Sequence, residues 1–441
     1  MKRLSICLFC LLLTVGACST RSATTPIRDL TDLPQDAGAF HGLNSETPLL
    51  SPQQQETAFT RFLAEHFGPW ERSQPKHTAD EVFWGLTRYE NRTAYGENTL
   101  PLDAKWIQRM REDSRVKQYP SLHLRAIAVT NTSMRVLPTH RPVFDDFGKP
   151  GEGFPFDYMQ NSLILAGTPL LATHVSADRA WILVESRFAF GWVPVRDIGW
   201  VDDGFISIFK TGTYAAITRD DVPVADGDGN YRFTAHIGTL LPIMRTGTEG
   251  SDTALLIPAR TRRGDAVAQV AFLPEKVLSP APIPATPSNF TRLINAMLNR
   301  PYGWGGLYEG RDCSAAIMDL MAAFGIYLPR NSSQQIAVGT LTGLDGLSLE
   351  NKKKAILAQS TPFLTLVRKP GHIMLYIGQH NGQPVIFHAT WGLKTKTRKG
   401  YGRKIIGRAV ITTLEPGREL PDLARPGGIL LETTSAISTL P

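Results

Sequence analysis

Cysteine is scarce in this chain, and past the first residues so are long apolar runs. Four cysteines occur in 441 residues: Cys7, Cys10, Cys18 and Cys313. Beyond residue 18 a single thiol remains, so no disulfide framework can staple the rest of the chain. After residue 17 no stretch approaches the ~20 apolar residues a membrane-spanning helix needs. Charge of one sign is in small excess. The formal net charge is +7, and without Lys2 and Arg3 it is 45 − 40 = +5. No Lys/Arg-rich run of nucleic-acid type is expected, which argues against a nucleic-acid partner. The mild positive balance suits a polyanionic matrix such as a cell wall, or simply a solvated face. The acidic turn Asp226-Gly227-Asp228-Gly229 lacks the length and closing Glu of a calcium loop and reads as a plain turn.

What is present begins with a targeting segment. Lys2 and Arg3 precede an apolar run, Leu4 to Val15, too short for a span. It ends in Val15-Gly16-Ala17-Cys18, which resembles the bacterial lipobox. That resemblance implies removal of residues 1–17 and lipidation of Cys18. Ser19 stands where Asp would favour the inner membrane, so in a Gram-negative cell it implies the outer membrane, facing the periplasm. Plain signal-peptidase cleavage is the alternative. Either way Cys313 becomes the only free thiol of the mature chain, and an exported free thiol argues for a use.

The length allows two to four domains, and 42% hydrophobic with 20% charged residues is an ordinary globular mix. Residues 18–55, rich in Ser, Thr, Pro, Asp and Gln, read as a flexible tether. Residues 56–121 read as helical pieces, whose aromatics (Trp70, Phe83, Trp84, Tyr89, Tyr95, Trp106) pack on a neighbouring domain. Residues 122–202 and 203–278 each show short β-rich runs between turns, the mark of small barrels or sandwiches; Phe205 to Phe209 counts among the strands. Four prolines in residues 278–287 predict a stiff spacer, a linker over 279–288. A domain over 289–415 follows, then a Pro- and Gly-rich tail over 416–441 that wraps back or frays.

The chemistry concentrates in this last domain. The glycine-rich turn from Tyr302-Gly303-Trp304-Gly305-Gly306 delivers Cys313 to a helix marked by Ala316, Ile317, Leu320, Met321 and Phe324. Asp312 is a good N-cap, so Cys313 falls in the first turn, where the helix dipole is expected to lower a thiol pKa. A small buried core cysteine is the alternative. Downstream, Asn381-Gly382 marks a hairpin turn, and folding the chain there brings His372 and His388 to one open end. A thiol on a helix start and a histidine on a sheet suit nucleophilic catalysis: His372 as base, His388 orienting it, and the oxyanion near the Cys313 N–H. Each histidine alone could be a satisfied core residue. The same three residues could also hold zinc, although no CxxC or HxxxH spacing accompanies them.

Tyr302 to Gly306, Arg311-Asp312-Cys313-Ser314, Leu328-Pro329-Arg330-Asn331-Ser332 and Gly371-His372 resemble, in that order, the signatures of the NlpC/p60 family of bacterial cell-wall cysteine peptidases. The likeness covers roughly residues 288–415. Pro155-Phe156-Asp157-Tyr158, Gln160-Asn161-Ser162, Gly167-Thr168-Pro169 and Gly191-Trp192-Val193 resemble members with a helical N-terminal clip and two bacterial SH3-like domains. The resemblance implies an α+β multidomain fold: a papain-like catalytic domain, helices on an antiparallel sheet, preceded by the clip and two small all-β barrels. It implies a Cys313–His372–His388 triad, with no cofactor. Tyr302, Trp304, Asp312 and Ser314 would line the substrate cleft, Asp312 meeting the free N-terminal amine of an L-alanyl-γ-D-glutamyl stem peptide. The first SH3-like domain, near Asp157 and Tyr158, would wall the cleft and favour short turnover or recycling peptides. The implied partners are peptidoglycan peptides, and the membrane only through the lipid, for a protein acting as a monomer. Ala315 departs from the family, where glycine is common, and the loop around His388 is less standard. An amidase or acyltransferase on the same scaffold, or an inactive wall-binding protein, are the alternatives.

Overall fold

The computed structural model describes residues 25–103, 105–149, 151–245, 252–398 and 400–441. The expected signal segment and Cys18 lie outside the described residues. Among the described residues no helix is long and apolar enough to cross a membrane.

Helix α1 (Pro52–Glu71) starts at Ser51, whose hydroxyl and the side chain of Gln54 form a capping box. Its Phe62, Phe67 and Trp70 are buried, and Trp70 Nε1 donates to the Ala126 carbonyl at 2.7 Å. Three short helices follow, α2 (Ala79–Val82), α3 (Trp84–Glu90) and α4 (Trp106–Asp113). Phe83, Leu86, Tyr89 and Trp106 from this region join Trp181 and Trp192 in one apolar cluster. The aromatics of the clip therefore serve as its contact with the next domain.

That domain is a seven-stranded antiparallel sheet: β1 (Leu124–Ala128), β2 (Thr132–Arg135), β3 (Gln160–Ile164), β4 (Pro169–Val175), β5 (Trp181–Glu185), β6 (Phe190–Pro194) and β7 (Ile198–Trp200), in the order β3-β2-β6-β5-β4-β1-β7. Helix α5 (Asp203–Phe209) connects it to the second β domain. The expected strand over Phe205 to Phe209 is corrected here. Residues four apart share a face in a strand and in a helix alike, so the spacing of the two phenylalanines cannot separate the two. Asp202 settles it by accepting the Phe205 N–H as an N-cap. The second β domain holds β8 (Tyr214–Ile217), β9 (Val222–Ala225), β10 (Tyr231–Ala235), β11 (Leu240–Arg245), β12 (Thr253–Arg260), β13 (Ala266–Leu273) and β14 (Leu278–Ala281).

Strand β14 corrects the expected spacer. Residues 278–281 pair with β8, and Ile283 and Ala285 beyond them are almost fully buried. Pro280 sits on this edge strand, where a missing N–H costs no ladder bond, and Pro287 opens the following helix.

The C-terminal domain packs α6 (Pro287–Met297), α7 (Cys313–Ala323) and α8 (Leu349–Gln359) on a six-stranded antiparallel sheet. Its strands are β15 (Thr340–Gly343), β16 (Thr365–Lys369), β17 (His372–His380), β18 (Gln383–Thr397), β19 (Gly400–Thr413) and β20 (Ala436–Thr439), in the order β15-β20-β16-β17-β18-β19. Strand β17 is buried on both faces. Ile373, Leu375 and Ile377 pack with Ile317, Leu320 and Met321 of α7; Met374 and Tyr376 join Ile356 of α8 in a second cluster. The tail neither frays nor merely covers the fold, for its β20 is an interior strand between β15 and β16.

The expected tether is likewise corrected from residue 25 onward. Ile27, Leu33, Ala37, Phe40 and Leu50 are buried, Gln379 N donates to the Phe40 carbonyl, and Thr413 binds the Asp29 carboxylate through both its N–H and its hydroxyl. Apolar residues spaced irregularly in a polar stretch leave no periodic signal, yet each finds a place on the C-terminal domain.

Candidate active site

Asp312 caps α7 by accepting the Ala315 N–H at 2.9 Å, which sets Cys313 at the first helical position, 8% exposed. The turn before it needs its glycines. Gly305 (φ +58°) and Gly306 (φ +86°) lie in the left-handed region, and a Cβ on Gly306 would sit 2.8 Å from the Leu163 N of β3. Gln160 Nε2 donates to the Gly305 carbonyl at 3.0 Å. The cysteine loop is thus seated on the first β domain by close backbone approach.

The hairpin forms as expected. His380 pairs with Gln383 across Asn381 (φ 49°) and Gly382 (φ 72°), a two-residue turn with both central residues left-handed. At its other end His372 Nε2 lies 2.8 Å from His388 Nδ1, and His388 Nε2 lies 3.2 Å from Thr412 Oγ1. Thr412 Oγ1 donates to the Thr413 carbonyl, so His388 Nε2–H must donate to Thr412, and His388 Nδ1 then accepts from His372 Nε2–H. This leaves His372 Nδ1 as a free acceptor. The backbone N–H of Ile373, the residue after His372, acts to lower the pKa of the Cys313 thiol. Both nitrogens of His388 are engaged, so His388 is not available as a metal ligand.

The electrostatics differ from expectation. Burial, and then the Asp312 carboxylate, push the Cys313 thiol up to about 12, against the backbone N–H of Ile373 and the Arg330 charge. The helix start does not lower it, because desolvation of a buried thiolate outweighs a partial dipole charge. Burial, followed by repulsion from His388 and Lys369, holds His372 well below the usual histidine range, and burial takes His388 down to about 3. The resting pair is a neutral thiol beside a neutral imidazole.

Asp312 is committed elsewhere than expected. Its oxygens accept from Arg330 at 2.5 and 3.1 Å, Ser314 Oγ at 3.0 Å, and the N–H groups of Gly305 and Ala315. Burial works against its charge, yet Arg330 and the hydrogen bonds keep the carboxyl below its ordinary range. Ser314 is consumed in the same network, accepting from Arg330 Nη1 at 2.8 Å. Neither faces an open cleft. Asp157 is also corrected: it is buried within the first β domain, ion-paired to Arg135 at 2.7 Å and accepting from the Val143 and Met159 N–H groups. The carboxylate-dense motif around the thiol therefore organises backbone rather than presenting acid to a ligand.

Tyr302, Trp304 and Tyr158 do come together. Tyr158 and Phe156 lie edge-on to Trp304, with centroids 6.0 and 5.1 Å away, and Trp391 meets Tyr302, Phe154 and Phe156 at 6.1 to 6.4 Å. An aromatic cleft mouth thus joins the first β domain to the C-terminal one. Trp391 and Thr412 were not singled out from the sequence, and Phe156 and Arg330 stood there only within motifs, with no role assigned. Trp391, three residues after His388, carried the one legible signal, a lone large aromatic beside a candidate catalytic histidine.

A buried thiol on a helix start, a histidine pair on the facing sheet and helices on an antiparallel sheet define a papain-like cysteine hydrolase fold. Residues 299–405 match the NlpC/P60 family, residues 5–119 its N-terminal stabilising domain, and residues 142–194 and 202–247 SH3 domains of the SH3b1 and SH3b2 types. The chain belongs to the NlpC/P60 family of cysteine peptidases. An NlpC/P60 endopeptidase of Photobacterium damselae subsp. piscicida is 26% identical, with a TM-score of 0.84 over 94% of this chain and 98% of that one. An NlpC/P60 family protein of Bacillus cereus ATCC 10987 is 14% identical, with a TM-score of 0.46 over 72% of this chain and all of that one. No curated protein sequence matches the chain.

Proposed function

We propose that this peptidoglycan-directed cysteine peptidase cleaves the γ-D-glutamyl–diaminopimelate bond of stem peptides with a free N-terminal L-Ala, as a periplasm-facing lipoprotein of the outer membrane. The observation that carries the catalytic reading is the directed chain Thr412–His388–His372, which leaves His372 Nδ1 unprotonated next to Ile373, whose backbone N–H acts on the Cys313 thiol. His372 takes the thiol proton as sulfur attacks the γ-carbonyl carbon. The oxyanion forms near the Cys313 N–H at the helix start. The imidazolium then protonates the leaving amine, the C–N bond breaks, and water hydrolyses the thioester with His372 again as base. A neutral resting pair requires this coupled proton transfer, because a pre-formed thiolate is disfavoured by burial.

The aromatic mouth at Trp304 and Trp391 supports a short-peptide substrate. Since Asp312 is spent on Arg330, the substrate ammonium group is better matched by Glu152 on the first SH3 domain, whose carboxylate is held 2.8 Å from the Tyr158 hydroxyl. Digests of defined muropeptides by the wild type and Cys313→Ala, read by mass spectrometry, test the proposal. The expected result is free L-Ala-γ-D-Glu from the wild type and none from the variant. Cleavage after L-Ala, or activity retained in Cys313→Ala, overturns it.

A further inference from the structure

One segment of the chain is far more one-signed than its overall charge suggests. Residues 351–414 contain twelve Lys or Arg and no Asp or Glu. Six of the twelve fall within residues 394–404, a basic run that the sequence expectation of none overlooked. This segment supplies β17, β18 and β19, and so the catalytic histidines. Two of its cations stand at the site. Lys369 is the cross-strand partner of His372, joined to it by the two-residue Pro370-Gly371 turn, so its side chain leaves the sheet on the same face. It is partly buried, and its ammonium group donates a long hydrogen bond of 3.5 Å to the neighbouring Pro370 carbonyl. Arg403, on β19, lies against the first SH3 domain: a Cβ on Gly151 would sit 2.8 Å from Arg403 Nε. Lys369 senses the charges of both Arg403 and Cys313, and Tyr302 senses Arg403 and Cys313. Lys369 thus stands beside the catalytic histidine on one element, and Arg403 stands where the β18–β19 arm meets the first SH3 domain, each near enough to feel the other's charge.

Among the described residues neither has a carboxylate within ion-pair distance. Glu152, next to Gly151, accepts from the Tyr158 hydroxyl and makes no ion pair with Arg403, which leaves its charge for the substrate ammonium group. Two like charges held near a semi-enclosed site with no counter-ion raise each other's free energy, and an anion bound between them relieves it.

We propose that Lys369 and Arg403 form the substrate-carboxylate site of this enzyme and set its specificity for stem peptides with a free carboxylate beside the scissile bond. This rests on the peptidase reading above. The carboxylate comes either from the α-carboxyl of D-glutamate or from the diamino acid of the leaving group; the shared chemistry is a carboxylate within reach of the γ-carbonyl carbon. The remaining cations of the β18–β19 arm steer polyanionic wall fragments toward it, an effect that falls with ionic strength.

The test compares Lys369→Met, Arg403→Gln and the double variant on three peptides: L-Ala-γ-D-Glu-diaminopimelate, the same peptide amidated at the D-Glu α-carboxyl, and the same amidated on the diaminopimelate. Each charge-assisted bond lost is expected to lower kcat/KM on the free tripeptide roughly ten- to hundredfold, chiefly through KM. On whichever amidated peptide lacks the bound carboxylate, wild type and variants are expected to be equally poor, which identifies the source. Variants that lose activity equally on all three peptides, or on none, overturn the proposal while leaving the peptidase reading intact. If wild type cleaves none of the peptides, the peptidase reading fails, and calorimetric titration of Cys313→Ala with the free tripeptide decides the site separately. Binding weakened by Lys369→Met and Arg403→Gln supports it; binding absent or unchanged overturns it.

Discussion

At the residue scale the thiol carries the main surprise. A cysteine at a helix start invites the reading of a ready-made thiolate, because the dipole and free N–H groups favour an anion. Here Cys313 is buried and sits beside Asp312, and both effects oppose ionisation. Alkylation of Cys313 by iodoacetamide is therefore expected to run at least ~10-fold slower than that of free cysteine near neutral pH, and to keep rising past pH 10. The rate is measured by mass spectrometry across pH; a plateau below pH 8 would show a thiolate–imidazolium pair instead. Thr412 matters for a related reason. By donating to the Thr413 carbonyl it can only accept from His388, and this fixes the tautomer of both histidines. Hydroxyl residues on a strand are common enough that nothing in the sequence distinguished this one.

At the scale of elements, the cysteine loop depends on glycine at positions where backbone meets backbone. Gly306 is left-handed and abuts Leu163 of β3. Gly306→Ala is expected to destabilise the fold by about 1–3 kcal/mol through strain and to lower activity with it. Gly343→Ala, whose added methyl would meet open space, serves as the comparison and is expected to stay within about 0.5 kcal/mol of wild type. Thermal unfolding of the two variants checks this, and equal melting temperatures would contradict it. The Asn381-Gly382 hairpin and the Asp312 cap were legible in advance because their signals are local. Strands β15 and β20 were not, since the residues they pair with lie 68 to 99 positions away, as in Arg368 with Ala436 and Thr340 with Thr439. Helix α5 was read as a strand because its apolar spacing fits both periods.

At the scale of the whole molecule, the second SH3 domain is locked to the catalytic one by buried charge. Arg311, two residues before Cys313, binds both Asp220 oxygens at 2.8 Å and Asp319 at 2.7 Å, and His236 lies 2.7 Å from Glu309. Burial opposes the charge on His236, but hydrogen bonds to Asp220 and Glu309 raise it to about 9. A histidine raised above its ordinary 6.5 contributes stability that is complete below that value and is lost as pH rises through about 9. The contribution is on the order of 3 kcal/mol. The melting temperature of the wild type is expected to fall between pH 7 and 10, and that of His236→Gln to start lower and fall less. Parallel curves would remove His236 from the lock.

The chemistry-bearing residues were readable from the chain because each rests on a local rule: a lone thiol after a cap, a hairpin turn with a histidine on either side, and proline and glycine marking changes of structure. Their order along the chain was sufficient to suggest the family. Tertiary structure alone decided which charged residues are free. Asp312, Ser314 and Asp157 looked available and are sealed by Arg330 and Arg135, whereas Lys369 and Arg403, which carried no signal in the sequence, make no ion pair among the described residues. Whether a charge meets solvent, substrate or a counter-ion depends on tertiary contacts, from the 18 residues between Asp312 and Arg330 to the 168 between Ser162 and Arg330, and no local spacing encodes those.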